Sequence, residues 1–208
     1  MVPRGSADVA LTEAIKIARM CLTKPPEALE RLRRGLGVVR ALVLFRGAEI
    51  GRLVNATGRV RVIAGGRISV GHHVQFLGGM VATEIICHPG AELCIGACSG
   101  FNYGVMIDCK ERIHIGKRCL FGSMTRLRDS DPMRHGPIVI DDDVWLAHGA
   151  VIQPGVHIGA GSIVSAGSVV DVDVPPDSIA IGDPAESFPL GTDMKKKRPA
   201  FLELSEQP

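Results

Sequence analysis

Residues 140–175 read IDDDVW, LAHGAV, IQPGVH, IGAGSI, VSAGSV and VDVDVP when they are divided into groups of six. The first position of each group is a large aliphatic residue: Ile140, Leu146, Ile152, Ile158, Val164 and Val170. The fifth position is small or β-branched: Val144, Ala150, Val156, Ser162, Ser168 and Val174. A period of six matches neither the helical period nor the two-residue alternation of a simple strand. It predicts an all-β solenoid of short strands and tight turns, rather than a sandwich of buried strands, because a sandwich would not keep one register through every group.

The segment 138–188 resembles the C-terminal half of the hexapeptide-repeat acyltransferases. The resemblance is carried, in order, by the elements VW at 144–145, PGV at 154–156 with IG at 158–159, AGSVV at 166–170, VPP at 174–176 and GDPA at 182–185. This family includes the sugar O-acetyltransferases of the maltose and galactoside type and their polysaccharide-modifying relatives. The resemblance implies a left-handed parallel β-helix, whose hand is an exception to the right-handed crossover rule. It also implies a homotrimer with active sites between neighbouring helices.

Weaker repeats extend the β-helix back to about residue 50. They include two runs of hexads, Ile95, Phe101 and Ile107, then Ile115, Phe121 and Leu127. Residues 129–139 break the register with proline, aspartate and glycine, which predicts an excursion loop. The coil is expected to end after Pro175 and Pro176. The predicted organisation is a protease-tag remnant over 1–6, a helical cap over 7–48, the β-helix over 49–188 and a tail over 189–208.

The helical cap is predicted from apolar residues at helical spacing in two segments, 7–24 and 27–45, with Pro25 and Pro26 between them. Two helices are therefore expected. They would cover the open end of the coil, because the first unit of a solenoid otherwise exposes its interior.

Composition agrees with a solenoid and argues against two other classes of protein. The hydrophobic fraction is 46% but the aromatic fraction is only 4%, which predicts an interior of stacked aliphatic and small residues rather than large rings. The net charge of +2 argues against a nucleic-acid-binding surface, since the one basic cluster, residues 195–198, lies in the predicted tail. No apolar run approaches the ~20 residues of a membrane-spanning helix.

The six cysteines are interpreted as small core or turn residues of a reduced, cytoplasmic protein. They form no CxxC pair, and the chain shows no signal peptide. A nucleophilic role is not expected, because no cysteine lies in the predicted excursion loop. The seven histidines contain no pair five residues apart, as the related β-helical carbonic anhydrases have, so no metal is expected.

Acyl transfer to a hydroxyl or amine needs a base, and histidine is the natural base near neutral pH. The resemblance implies a catalytic histidine on the loop before the VW hexad, often in an Asp-x-Asp-x-His pattern. Here the pattern reads DSDPM over 129–133, so Met133 occupies the histidine position and His135 follows two residues later. We expect His135 to be the base, with Asp129 or Asp131 orienting its imidazole. The alternative is a solvated loop histidine and two aspartates that serve turn chemistry.

The resemblance also implies residues for the acceptor. Asn102, followed by Tyr103, matches an asparagine-containing stretch that contacts the acceptor or the reacting acyl group. Asp108 lies close to an acceptor-binding aspartate of the family. The alternative for Asn102 is a corner residue in the left-handed conformation.

For the donor, the resemblance implies acetyl-CoA held by the corners that contain Ala147, His148, Ala166 and Gly167. The family often has cations where this chain has Asp171, Val172 and Glu186. Repulsion of order 3 kcal/mol, from like charges ~5 Å apart, would weaken nucleotide binding about 100-fold. The basic residues 195–198 could restore the charge, or a carrier-protein thioester could be the donor.

Two classes of function follow. The first is an acyltransferase acting on a sugar or another hydroxylated or amino metabolite, with a histidine base. The second is a non-catalytic hexapeptide-repeat scaffold or binding protein, because fold alone does not decide function. Met133 and the acidic replacements favour the second, whereas Asn102, His148 and the DSD sequence favour the first.

Overall fold

The computed structural model describes residues 27–191, with side chains from Gly35 onwards. Contacts divide the chain into two units, Met1–Leu36 and Gly37–Pro208. In the first unit the structure describes only the start of one helix. The second unit contains the end of that helix and a parallel β-solenoid. The predicted helix over 7–24, the tag remnant and the basic cluster 195–198 lie outside the described residues.

Helix α1 spans Glu27–Leu44, which confirms the second predicted helix. In the Gly37–Pro208 unit, the side chains of Ala41 and Phe45 are buried at its C-terminal end. The Phe45 ring reaches past the small Ala56 of the first coil and packs on Phe76 of the second, with 5.1 Å between ring centroids. This end therefore fills the interior at the open end of the solenoid, as expected for a cap. Within residues 27–191, no helix has the combination of length and apolar character that a membrane crossing requires.

Eighteen strands form six coils of three strands each. In chain order they are β1 (Glu49–Ile50), β2 (Asn55–Thr57), β3 (Val60–Ala64), β4 (Arg67–Val70), β5 (Gln75–Leu77), β6 (Thr83–Cys87), β7 (Glu92–Ile95), β8 (Gly100–Phe101), β9 (Met106–Cys109), β10 (Arg112–Ile115), β11 (Leu120–Phe121), β12 (Arg126–Arg128), β13 (Ile138–Ile140), β14 (Trp145–Leu146), β15 (Val151–Ile152), β16 (His157–Ile158), β17 (Ile163–Val164) and β18 (Val169–Val170). The first strands of all coils pair in parallel as sheet A, the second strands as sheet B and the third strands as sheet C. This arrangement confirms the predicted parallel β-solenoid.

The solenoid continues beyond the predicted end of the coil. Strand β19 (Ser178–Gly182) pairs in parallel with β17, and β20 (Ala185–Pro189) returns antiparallel to β19. The expectation that the coil ends after Pro175 and Pro176 is therefore wrong for sheet B. The two prolines break the period of six, so a search for hexads does not detect β19.

The predicted hexad positions fill the interior. Every first-position and fifth-position residue of 140–175 is at most 3% exposed, and so are the six residues of the two earlier hexad runs. The buried Ser162 hydroxyl donates to the Pro175 carbonyl at 2.8 Å, and the Ser168 hydroxyl accepts from the Gly182 amide at 3.1 Å. Small polar residues in the interior thus join the last regular coil to β19.

The composition-based expectation of an interior without large rings is wrong for the second to fourth coils. Four of the six phenylalanines form one continuous stack. Phe76, Phe101 and Phe121 face one another in successive strands of sheet B, with centroid separations of 4.9 and 4.4 Å. The low aromatic fraction is an average over the whole chain, and it does not show that the aromatic residues are concentrated at one end of the solenoid.

The coils differ in length, and the differences fall at their corners. Val139 of β13 pairs with His157, eighteen residues later. Ile113 of β10 pairs with Ile138, twenty-five residues later, because that interval contains the excursion loop. The loop, residues 129–137, leaves from the corner between sheets C and A, which confirms its predicted place in the chain.

The cysteines divide by exposure. All five within residues 27–191 are free; Cys87, Cys109 and Cys119 are buried, whereas Cys94 and Cys98 are partly exposed. Burial raises the pKa of Cys119 to about 12. It also raises the pKa of Cys109, to which the nearby Asp129 carboxylate adds.

We expect iodoacetamide at pH 8 to label Cys94 and Cys98 much faster than Cys87, Cys109 and Cys119. The thiolate is the reacting form, and a raised pKa keeps the buried thiols protonated at this pH. Peptide mass spectrometry after short labelling measures this, and the same reaction in denaturant should label every cysteine. Rapid native-state labelling of Cys119 would contradict the buried position.

Candidate functional site

The excursion loop is a compact hairpin rather than a long arm. Ser130 and His135 form an antiparallel bridge. The Asp131 amide donates to the Arg134 carbonyl at 2.8 Å, and the Gly136 amide donates to the Asp129 carbonyl at 3.0 Å. The loop therefore holds its residues close to the corner between sheets C and A.

Asp129 is fully buried and is bonded to the preceding coil. Its Oδ1 accepts from the Lys110 amide and its Oδ2 from the Glu111 amide, both at 2.8 Å. Within residues 27–191, no hydrogen bond joins this carboxylate to His135. The geometry shows a carboxylate that stabilises a corner of the solenoid, and it does not bring Asp129 to the predicted base.

The Asp131 carboxylate also accepts hydrogen bonds from backbone groups. Its Oδ1 accepts from the amides of Met133 and Arg134, each at 2.7 Å, and these bonds lower the pKa of Asp131. His135 is exposed, and its imidazole has no hydrogen bond to any described residue. Met133, at the family's histidine position, is 91% exposed. The predicted base is thus placed on the loop without a group that orients it.

The predicted donor residues meet at the corner between sheets B and C. Ala147 and His148 lie there in the fifth coil, with Ala166 and Gly167 directly beside them in the sixth. Gly149 and Gly167 adopt the left-handed conformation, with φ of 69° and 70°, which favours glycine and turns the chain sharply. The backbone N–H groups of His148 and Ala166 donate no hydrogen bond within the described residues, so both remain available to a ligand.

The predicted acceptor residues Asn102 and Tyr103 lie at the same corner in the third coil. The Asn102 Oδ1 accepts from the Tyr103 amide at 2.8 Å, and the left-handed residue is Gly104, with φ of 70°. The alternative that Asn102 is itself a left-handed corner residue is therefore wrong. Two coils, or ~10 Å, separate Tyr103 from His148, since neighbouring strands lie ~4.8 Å apart.

Ser123 fills the position between Tyr103 and His148, and the sequence did not indicate it. Its Oγ lies 2.7 Å from Nδ1 of His148, and Ser123 is only 8% exposed while His148 is exposed. This bond fixes the imidazole at the corner between sheets B and C. Ser123 and His148 are twenty-five residues apart, because the coil between them contains the excursion loop. A search at the regular spacing of eighteen residues therefore does not pair them.

Asp108 lies at the opposite edge of sheet C from Asn102 and Tyr103, so the predicted acceptor residues are not all brought together. Its Oδ1 is 2.9 Å from Nε2 of His88, and its Oδ2 is 3.5 Å from Nε of Arg128. The Asp108 side chain is 17% exposed and the His88 side chain 42%. His88 was not predicted as a site residue; its separation from Asp108 by one coil was the available signal.

A cavity of about 240 Å³ lies on the outer face of sheet C, between these two edges. Its polar lining comes from Arg126, Arg128, Gln153 and the loop residue Asp131, and its apolar lining includes Met106 and Val151. Over residues 27–191, no three or more His, Cys, Asp or Glu residues cluster in a way that could hold a metal ion.

Comparison with known proteins identifies the repeat. Residues 137–171 match the family model described as bacterial transferase hexapeptide (six repeats). Residues 137–171 carry the transferase hexapeptide repeat. The resemblance drawn from the sequence is thereby confirmed, and the B–C corner of the hexapeptide-repeat solenoid, with His148 and Ala166, lies inside the matched residues.

Relatives of this hexapeptide-repeat protein match over a short segment. A Schizosaccharomyces pombe protein that bears the name of an acetyltransferase is 50% identical over 50 residues, 24% of each chain. Galactoside O-acetyltransferase of Escherichia coli K12 is 45% identical over 58 residues, 28% of this chain and 29% of the relative. The chain therefore spans about a quarter of the length of the curated relatives it matches.

A solved structure shares the fold more widely. The crystal structure of the polySia specific acetyltransferase NeuO matches 69% of this chain and 75% of its own, with a TM-score of 0.56 and 20% sequence identity. At this identity the likeness concerns the fold alone.

Proposed function

We propose that the protein is an acyltransferase that moves the acetyl group of acetyl-CoA to a hydroxyl or amine of a small, sugar-like acceptor. The observation that carries the proposal is the transferase hexapeptide match over residues 137–171. Within it, two free backbone N–H groups, of His148 and Ala166, lie on one corner beside the sheet C cavity. The homotrimer and the cytoplasmic setting belong to the same proposal.

The proposed chemistry uses this corner for the donor. The N–H groups of His148 and Ala166 can bind carbonyl oxygens of the donor's pantetheine arm, and the Ser123 hydroxyl holds the His148 ring in place. The acceptor oxygen or nitrogen attacks the thioester carbonyl, the C–S bond breaks, and a base takes the acceptor proton. The sequence assigned that base to His135, with Asn102 near the reacting group, and both roles stay predictions.

Two observations favour a second candidate, a non-catalytic binding protein. Met133 replaces the family histidine, and the imidazole of His135 has no orienting partner within residues 27–191. Asp171 and the exposed Glu186 also present anions where a nucleotide phosphate would dock. If the solenoid only binds a thioester, the same corner would serve a pantetheine group, including one on a carrier protein.

We expect acetyl-CoA at ~100 times its dissociation constant to stabilise the protein by about 2.7 kcal/mol, which raises Tm by roughly 5–10 °C for a chain of this size. Thermal melts with acetyl-CoA, coenzyme A and a pantetheine thioester measure the shift. An indole at the donor corner should block it, so Ala166→Trp is expected to keep the ligand-free Tm and lose the shift.

The matched control is Ala160→Trp, because Ala160 is also exposed but lies at the corner between sheets A and B of the same coil. This variant should keep the shift. A shift with the pantetheine thioester alone would indicate a carrier-protein donor. No shift with any of the three ligands, together with no release of coenzyme A in an acceptor screen, would reject the proposed activity.

A further inference from the structure

We propose that His88, oriented by Asp108, takes the acceptor proton in the reaction, in place of His135. This inference rests on the proposed acyl transfer. It assigns the base to a residue outside the excursion loop and to a carboxylate that holds it. His88 is thus the proposed catalytic residue and Asp108 a positioning residue.

The first support is the geometry of the pair. Nε2 of His88 lies 2.9 Å from Oδ1 of Asp108, and Nε of Arg128 lies 3.5 Å from Oδ2 of the same carboxylate. With Nε2–H donating to Asp108, Nδ1 of His88 keeps its lone pair and can accept a proton. The carboxylate is mostly covered while the imidazole is 42% exposed, so the pair is held firmly and remains accessible.

The strand register gives the neighbours of His88 within residues 27–191. Lys110 lies next to His88, in the same coil as Asp108, which is the third. Arg128 lies next to Asp108 in the fourth coil. On the other side, the register places Gly65 of the first coil next to His88, and glycine carries no charge. The buried Asp129 carboxylate also lies at this corner, where its Oδ1 accepts from the Lys110 amide.

The second support is the position of the pair relative to the donor corner. Sheet C has two edges: the B–C corner, with the free N–H groups of His148 and Ala166, and the C–A corner, with His88. The cavity of about 240 Å³ lies on the face between them, and Arg128 both lines it and contacts Asp108. His88 and Asp108 lie in the second and third coils, the cavity lining in the third to fifth coils, and the free N–H groups in the fifth and sixth coils. An acceptor in this cavity would therefore lie between the histidine–carboxylate pair and the donor along the axis of the solenoid.

Four other histidines fit this role less well. His135 has no hydrogen-bonded partner in the described part of the chain, and the Nδ1 of His148 is bonded to Ser123. His72 Nδ1 accepts from the Arg52 amide at 2.8 Å. His157 does pair with a carboxylate, Asp141, at 3.0 Å, but both residues belong to the sheet A side of the solenoid.

Proton transfer to His88 accompanies attack on the thioester in the proposed step. Nδ1 of His88 removes the proton of the acceptor hydroxyl as its oxygen bonds to the thioester carbonyl carbon. The C–S bond then breaks, the coenzyme A sulfur leaves with the electron pair, and the imidazolium returns the proton to that thiolate. The products are an acetyl ester and free coenzyme A thiol, with no other reactant needed.

The test is acetyl transfer to an acceptor panel by the wild type and by His88→Gln, His135→Gln and His157→Gln. We expect His88→Gln to lower kcat by about 10²–10⁴-fold, the usual contribution of a general base, with little change in KM for acetyl-CoA. His157→Gln is the matched control, since it removes the same kind of histidine–carboxylate pair on another sheet, and its kcat should stay within about 2-fold. His135→Gln tests the base predicted from the sequence, and a 10²–10⁴-fold fall in its kcat with full activity in His88→Gln would overturn this inference.

The pH profile adds a readout that a structural role would not change. Wild-type kcat/KM should fall at low pH as the base becomes protonated, and the residual activity of His88→Gln should lack that acidic limb. Asp108→Asn should move the limb and lower kcat, with a far-UV spectrum and Tm like those of the wild type. Transfer by the wild type with full activity in His88→Gln would overturn this inference alone. Absence of transfer in the wild type, with no acetyl-CoA-dependent rise in Tm, would overturn the proposed function and this inference with it.

Discussion

Replacement of Phe101 by alanine is expected to lower the free energy of unfolding by about 3–5 kcal/mol, the usual cost of removing a buried phenylalanine ring. Phe101 is 1% exposed, and its ring lies between Phe76 at 4.9 Å and Phe121 at 4.4 Å. The cavity would interrupt the aromatic stack at its centre, and two neighbouring rings would each lose a packing partner. Urea unfolding followed by circular dichroism measures the change.

Phe188→Ala is the matched control, because it removes the same side chain from β20, where Phe188 is 48% exposed. We expect this variant to change the free energy of unfolding by less than about 1 kcal/mol. If Phe101→Ala is too unstable to purify, Phe101→Leu should remain folded, because leucine keeps most of the volume. Its free energy of unfolding should still fall clearly, because the ring contacts are lost. Equal effects at positions 101 and 188 would contradict the stacked core.

Replacement of Asp129 by alanine is expected to cost about 2–4 kcal/mol of folding free energy. The variant loses two charge-assisted hydrogen bonds and leaves the amides of Lys110 and Glu111 without their acceptor. Asp129→Asn should fall between the wild type and Asp129→Ala, because one amide oxygen can still accept. Chemical unfolding of the three proteins measures this order.

Asp131→Ala provides the comparison within the same loop. Asp131 also accepts two backbone N–H bonds, but it does so in water-exposed surroundings, so its loss should cost under about 1 kcal/mol. If the role of Asp129 is to hold the corner, kcat per folded molecule of Asp129→Ala should match the wild type under conditions where both are folded. A large fall in kcat at unchanged stability would instead support the predicted orienting role of Asp129.

The repeat in the sequence predicted the architecture because the interior of a β-solenoid imposes it directly. Each buried position recurs after a full hexad, so Ile140 and Leu146 already indicate the register before any tertiary contact is known. The fold beyond Pro176 could not be predicted in this way, since β19 is held by pairing with β17 rather than by the period.

The candidate site was harder to predict than the fold, because its contacts connect coils of different length. His88 and Asp108 are twenty residues apart, and Ser123 and His148 are twenty-five apart, whereas the regular coils at the C-terminal end have a spacing of eighteen. Without the lengths of the corners, the sequence does not reveal which polar residues face one another.

The sequence contained a signal that Asp129 is buried, but the DSD motif was given more weight. Leu127 points into the solenoid, so strand alternation places Asp129 on the inner side as well. The DSD pattern suggested catalysis, but the inward direction of the side chain was the stronger physical constraint. A motif that overlaps the end of a strand should therefore be checked against alternation first.

The corner bound by Asp129 has a consequence for insertions and deletions. Between the buried residues Cys109 and Ile113 the chain is two residues longer than between the buried residues Pro154 and Val156 of the regular coil. The longer corner turns the amides of Lys110 and Glu111 toward an acceptor that only the next coil supplies. Shortening this corner to the regular length would leave the Asp129 carboxylate buried without donors, so the two features must change together. At corners that bind no buried carboxylate from the next coil, an insertion or deletion should be tolerated without a second, compensating change.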